Sequence, residues 1–407
     1  MSVVARKAEG CRVCGVALPA PFLDLGLQPL ANALEPTRAA ALAVPVHPLA
    51  LTRCLGCQVV QLTHAVDPGA MFSDYAYLSG ASPSLRRHFE TMAADLSSRV
   101  DHGPVLDVGC NDGVLLDAFR ALGRKTVGVE PAANLVGRCR AGGHEVVHGF
   151  FDGAAAAAVL ASVGRVPLVT ANNVFAHLED LGGFLSAVDA VLAAKGMFVF
   201  EVAWSLRMLL DGTFDQSYFE HVYHHSVLGL RTILERSGFV LERAEEVGTH
   251  GGSLRCQARR RGEGAADGPS VAAMLEREVD AGLDTSAPYA LLAGRASKTR
   301  LDLVTAIRSA CQAGRRVIGY GAPAKATTLL CWCGLGEGDV AFIVDDAQTK
   351  QGRWIPKAAI RVAEPGEMGP DDVVVVFPWN VAGDILPRLG RRTAIIPLPE
   401  VRVAPAG

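Results

Sequence analysis

From Ser84 to Val100 (SLRRHFETMAADLSSRV) the apolar positions recur at helical spacing, and from Asp101 to Val202 short β-branched runs alternate with helix-like stretches. Strand candidates are VLDVG, TVGVE, EVVHG, LVTANN and MFVFEV, and the alanine-rich run Gly153 to Val163 reads as a surface helix. This alternation predicts a doubly wound α/β sheet. Phe239 to Glu246 and Gly252 to Arg259 add an antiparallel end to it. After a small, charged and glycine-rich linker, Arg260 to Ser270, a long helical region runs from about Val271 to Ala313. The strand grammar then restarts in RVIGYGAPAKATTLL, AFIVDDA, VVVVFPWN and AIIPL, which predicts a second, smaller α/β unit. Before Ser84 the chain is proline-rich and strand-poor, with Cys11/Cys14 and Cys54/Cys57 in two CxxC pairs.

The first glycine turn carries the most chemistry. VLDVGCNDG (Val105 to Gly113) followed by TVGVEP (Thr126 to Pro131) orders a buried strand, a tight turn, a helix and an acid-ended strand. Gly109 and Gly113 permit the turn, and Glu130, about 20 residues on, can accept hydrogen bonds from ribose hydroxyls. Asn111 stands where a dinucleotide fingerprint has its second glycine, so the close approach a pyrophosphate needs is lost. This variant resembles the S-adenosylmethionine (SAM) site of class I methyltransferases.

Two CxxC pairs about 40 residues apart can set four thiolates tetrahedrally around one ion. With Cys11, Cys14, Cys54 and Cys57 as ligands no coordination position stays open, so the expected zinc is structural. Its binding would contribute on the order of 10 kcal/mol to folding a module with a small core. His47 and His64 are read as bystanders, and the other six cysteines as small hydrophobes.

Bulk properties narrow the class. The 407 residues call for two or three domains. Half of the residues are hydrophobic, yet no uninterrupted apolar stretch of roughly 18 residues occurs, as a membrane helix would need. The opening MSVVARKAEGCRVCG has no apolar run of export length, and with ten cysteines a reduced cytoplasmic setting is expected. A net charge of -3 gives no global basic footprint for nucleic acid. Neither nucleic acid nor membrane is expected as a partner, and the oligomeric state is left open, a monomer being compatible with the chain.

Further strings join these features: LGLQPLANAL (Leu25 to Leu34), YAYLSGAS (Tyr75 to Ser82), NNVFAHLED (Asn172 to Asp180), FDQSYFEHVY (Phe214 to Tyr223), HGGSLR (His250 to Arg255), GYGAPAKATTLL (Gly319 to Leu330) and VFPWN (Val376 to Asn380). Taken together they resemble the three-domain SAM-dependent C-methyltransferases that act on nucleotide-linked 4-keto-deoxysugars. The resemblance implies a zinc-binding module over 1–83, a class I methyltransferase domain over 84–262, and a helical linker with a Rossmann-like, substrate-assisting domain over 263–407. It places Asp107, Gly109, Asn111, Asp112, Gly113 and Glu130 at SAM, with Asn172 and Asn173 near it. Tyr75 or Tyr77, His177, Tyr218, Glu220 and His221 would surround a nucleotide-sugar substrate, and His250 and Lys325 would help bind it. The chain departs from the family pattern at Phe219, His224 and His225, the last two read as structural.

Forming a C–C bond from a sulfonium methyl requires an enolate, hence a base near neutrality and donors facing the enolate oxygen. Imidazole ordinarily titrates near 6.5. His221 is therefore the expected base, Glu220 its orienting carboxylate, and Tyr218 and His177 the donors. Two other activities remain open at this level: sugar O-methylation, and nicotinamide-dependent oxidation and reduction with GYGAPAK as cofactor loop and Asp345 or Asp346 as ribose acid.

Overall fold

The computed structural model describes residues 5–75, 78–262 and 266–405. Its centre is a seven-stranded sheet in the order Phe239–Val247, Ser253–Arg260, Leu192–Ala203, Val166–Asn172, Val105–Val108, Thr126–Glu130, Glu145–His148. Ser253–Arg260 is antiparallel to both of its neighbours, and the other strand pairs run parallel. Side chains alternate across the sheet as a two-residue period requires. Met197 and Val199 pack under the helices Pro83–Arg99 and Val114–Ala121, whereas Phe198 and Phe200 face the core containing Val159, Leu185 and Val188. Helix Gly153–Val163 forms where the alanine run predicts it, with the Asp152 side chain capping its first turn.

The N-terminal region corrects the strand-poor expectation. Leu23–Gln28 and His47–Arg53 lie between the CxxC pairs and join Val60–Leu62 in an antiparallel sheet. Prolines punctuate these strands without preventing them, since the partner ladder supplies what local propensity lacks. The fourth strand comes from far along the chain: Tyr223–His224 pairs with Val60 and Gln61.

The C-terminal sheet has the order Val362–Ala363, Ile343–Val344, Val317–Tyr320, Val373–Val376, Thr393–Ile396, Arg402–Pro405, parallel except at the last strand. The helical region expected over 271–313 is two helices, Pro269–Asp280 and Ala287–Gln312. Gly282 and Pro288 break it, because proline removes an amide and is accepted only in a first turn. Among the described residues no helix is long and apolar enough to cross a membrane.

Glu278 holds the sheet's flank to the chain that follows the Tyr223–His224 strand. Fully buried, it accepts from the Trp204 indole at 2.6 Å and from the Val227 and Leu228 amides at 2.7 and 2.9 Å, capping helix Val227–Arg236. Glu278→Ala would leave two buried donors and the part-buried Leu228 amide without their acceptor, so a loss of about 3 kcal/mol or more is expected in chemical denaturation of zinc-loaded protein. A loss below about 1 kcal/mol would mean that these donors find other acceptors, beyond the Ser226 hydroxyl that already accepts from the Gly229 amide of the same helix.

Candidate active site

Two near-identical knuckles build the cysteine cluster. Cys11 N donates to Val16 O and Gly15 N to Cys11 O; Cys54 N donates to Val59 O and Gln58 N to Cys54 O. The four sulfurs lie within 4.8 Å of one another, compatible with ~2.3 Å bonds to a central zinc. Gln61 Nε2 donates to Cys11 Sγ at 3.1 Å, and the Arg12 guanidinium holds Gln61 Oε1 and Leu62 O. His47 and His64 stand outside the cluster. Cys110 and Cys139 approach to 3.8 Å in a separate apolar core.

At the carboxyl ends of Val105–Val108 and Val166–Asn172 the strand order reverses, the usual place for a ligand in such sheets. Gly109 has φ +69°, and a Cβ there would lie 2.4 Å from Val174 Cγ2, so both conformation and space demand glycine. Asn111 and Asn173 also take left-handed backbones. Glu130, 5% exposed, accepts from the Asn111 amide and the Ala132 amide, each at 2.9 Å. Burial raises its pKa, against the pull of those two amides. Glu130, the expected ribose acceptor, therefore already braces the glycine turn, with lone pairs left for further donors. Asp107 accepts from Thr170 at 2.7 Å and is pushed up to about 7 by burial. The Asn172 side chain is buried without a hydrogen-bond partner among the described residues.

A strap crosses this turn. Ser79 N donates to Asn111 Oδ1, Gly80 N to both Asp112 oxygens, and Tyr75 exchanges two hydrogen bonds with Asn134. Tyr77 lies outside the described residues, as does the side chain of His250.

From Tyr75 a column of rings runs inward: Tyr75 meets Phe72 at 5.7 Å, Phe72 stacks on His177 at 5.2 Å, and His177 stacks on His221 at 5.3 Å. Tyr218 completes it, with its hydroxyl 3.1 Å from His221 Nε2. His221 Nδ1 lies 2.8 Å from Gln216 O, an acceptor only, so Nδ1 carries a proton toward it, and Nε2 faces the Tyr218 hydroxyl. This corrects the orienting role expected of Glu220: the Gln216 carbonyl orients His221. Glu220 instead accepts from Asn32 Nδ2 at 3.0 Å, and its Oε2 is buried with no partner among the described residues. Burial raises the Glu220 pKa. His177 is driven well below the ordinary imidazole range by burial, and His224 and His225 to about 3 and about 4 for the same first reason. His224 and His225 face Ser217 and the Phe175 carbonyl, as packing residues do.

The C-terminal helix Ala324–Cys333 closes the far side. Thr327 donates to Ala31 O and Thr328 to Ser217 O, so one helix touches both other regions of the site. Lys325 is bonded to Asn380 and sits 4.5 Å over the Trp379 ring. The GYGAPAK turn itself is filled: a Cβ on Gly321 would lie 2.3 Å from Pro378, Asp345 already holds the Ala322 amide at 2.7 Å, and Asp346 pairs with Arg388. Asp346 is engaged by Arg388 and Tyr320, whereas Asp345 braces its own turn as Glu130 does. Asn32, Phe72, Asp215, Gln216 and Trp379 escaped the sequence reading, although all but Phe72 sit inside its quoted strings.

Three family models match in order: "Putative zinc binding domain" over residues 11–72, "Methyltransferase domain" over 78–244 and "C-methyltransferase C-terminal domain" over 248–395. C-methyltransferase NovU of Streptomyces niveus is 30% identical over 418 aligned positions, covering 100% of this chain and 99% of that one. The chain belongs to the three-domain C-methyltransferases. A ubiquinone biosynthesis O-methyltransferase of a Bradyrhizobium strain is 30% identical over 95 residues, 23% of this chain and 38% of its own. Among solved structures, magnesium protoporphyrin IX methyltransferase of Synechocystis PCC 6803 with bound SAM has a TM-score of 0.33 at 17% identity, covering 43% of this chain and 79% of that one.

This C-methyltransferase takes SAM as methyl donor and carries a zinc module. Metal analysis should find close to one zinc per chain, and Cys57→Ser should fold poorly; zinc-free, active protein would contradict the assignment. In calorimetry Glu130→Ala should weaken SAM binding by about 1 to 3 kcal/mol, since it loses a charged acceptor and unbraces the Asn111 amide. Unchanged affinity would remove Glu130 from the SAM site.

Proposed function

We propose that this C-methyltransferase methylates a nucleotide-linked, dTDP-type 4-keto-deoxysugar at a carbon next to the ketone, with C3 the first position to test and C5 the second. Such a reaction belongs to deoxysugar and antibiotic biosynthesis. The reading rests on the resemblance of the quoted strings and on one arrangement: an imidazole whose Nδ1 is fixed by Gln216 O and whose Nε2 meets Tyr218.

SAM when bound supplies an electrophilic methyl, and the protein's own task is to make and hold the carbon nucleophile. His221 Nε2 takes the proton from the carbon beside the ketone, directly or through the Tyr218 hydroxyl, and the Gln216 carbonyl stabilises the imidazolium that results. His177 remains neutral and stacks face to face on His221, which keeps the ring in place as its charge changes. Tyr218 and His177 offer donors to the enolate oxygen. Glu220, held by Asn32, forms the wall nearest the N-terminal module and is the second candidate for the base, because burial raises its basicity. Tyr75 or Tyr77 is the further residue proposed to meet the sugar, and Lys325 and His250 are the residues proposed to help bind the substrate. Asp107, Gly109, Asn111, Asp112, Gly113, Glu130, Asn172 and Asn173 hold SAM. The O-methylation alternative needs no carbon acid, so hydrogen exchange at carbon separates the two.

His221→Ala should lower kcat by roughly 10²-fold or more with SAM affinity nearly unchanged. Wild type incubated with dTDP-4-keto-deoxysugars in deuterated water should exchange the hydrogen beside the ketone, followed by NMR, and His221→Ala should not. Exchange at the wild-type rate in His221→Ala, with loss in Glu220→Gln or Tyr218→Phe, would move the base to that residue.

A further inference from the structure

Asp215 is completely buried, and its position invites a question that burial alone does not answer. It sits in the short 3-10 turn Phe214–Gln216, immediately before the carbonyl that receives the His221 Nδ1 proton. Its Oδ2 accepts from the Trp379 indole at 2.7 Å, across 164 residues and from the C-terminal domain. Its Oδ1 is buried without a partner among the described residues. Burial pushes the carboxyl up to about 6, opposed by the Lys325 charge and by the indole. An apolar side chain at this place would avoid that cost, so the retained carboxyl serves a geometric purpose.

That purpose is visible in what the turn touches. Thr328 of the C-terminal helix donates to Ser217 O on one side of Gln216, and Trp379 donates to Asp215 on the other. Trp379 is itself fixed beneath Lys325, which bonds to the neighbouring Asn380. The carbonyl of Gln216 is thus held from both flanks by the C-terminal domain. We infer that Asp215 and Trp379 are positioning residues through which the C-terminal domain sets the proton-accepting nitrogen of His221. With Gln216 O fixed, the imidazole keeps its proton on Nδ1 and presents the Nε2 lone pair to Tyr218; with the carbonyl free to move, the proton is shared between both nitrogens and the accepting site is lost for part of the time. The inference rests on His221 being the base only for its kinetic consequence; the tautomer itself requires no substrate.

The test uses the zinc-loaded full chain labelled with 15N in histidine rings, with His221→Gln assigning the His221 signals. Wild type should show a protonated Nδ1 and an unprotonated Nε2 for His221. Trp379→Phe removes only the indole donor, and Asp215→Ala removes its acceptor; each should move both His221 signals toward the average of the two tautomers. Each should also lower kcat by roughly tenfold or more, a scale common for a misplaced catalytic group, with KM and SAM affinity changed by less than about twofold. Asp215→Asn, which retains an oxygen for the indole, should restore both the signals and the rate of Asp215→Ala. His221 signals unchanged from wild type in Trp379→Phe and Asp215→Ala would overturn the inference. Failure of methyl transfer to every keto-sugar, with the tautomer shift present, would overturn the substrate reading and leave this one standing.

Discussion

The segment Phe214–His225 is pinned by both of the domains that flank the central sheet, and the site depends on that clamp. On one side it supplies the last strand of the zinc module, with Leu62 N donating to Val222 O and Tyr223 in register with Gln61. On the other side Trp379 and Thr328 hold Asp215 and Ser217. Tyr218, Glu220 and His221 lie between the two grips. A loop of this length left to itself would pay the full entropy of ordering each residue, about 1–2 kcal/mol apiece for backbone alone. Strand pairing and buried hydrogen bonds from the two flanking domains offset it.

The clamp also links the zinc site to this segment. Gln61 is bonded to Cys11 Sγ and to Arg12, and the same residue is the register partner of Tyr223. The metal cluster therefore lies one hydrogen-bond ladder away from the segment that carries His221. Electrostatics follow the same enclosure: His177, His224 and His225 are all pushed down by burial, so the imidazoles around His221 stay neutral and do not compete for its proton.

Much of this was legible in the chain, for local reasons. VLDVGCNDG and TVGVE state a strand, a glycine turn and an acid within one supersecondary unit, and the sheet follows the pattern read from them. The CxxC pairs state their metal chemistry in four residues each, and the sulfurs meet as expected. What could not be read were partnerships between distant residues: Asn32 with Glu220 spans 188 positions, and Trp379 with Asp215 spans 164. Periodicity reports which face of an element is buried and says nothing of what covers it. The orienter of His221 was missed for a different reason, since a main-chain carbonyl has no residue type to mark it, and a carboxylate next in sequence drew the assignment instead. The strands between the cysteine pairs carry weak local signals, with prolines in or beside them and no strict alternation in His47–Arg53, and they form through tertiary pairing.

The central claim is that the segment 214–225, which carries His221, depends on the zinc module and the C-terminal domain for its order in addition to its contacts with the central domain. Hydrogen exchange followed by mass spectrometry, with zinc bound and after chelation, measures this directly. The account predicts that chelation strips protection from the amides of 214–225 along with the zinc module, while the amides of Val105–Val108 and Val166–Asn172 keep theirs. Full protection of 214–225 after zinc is removed, or equal loss across the central strands, would contradict it.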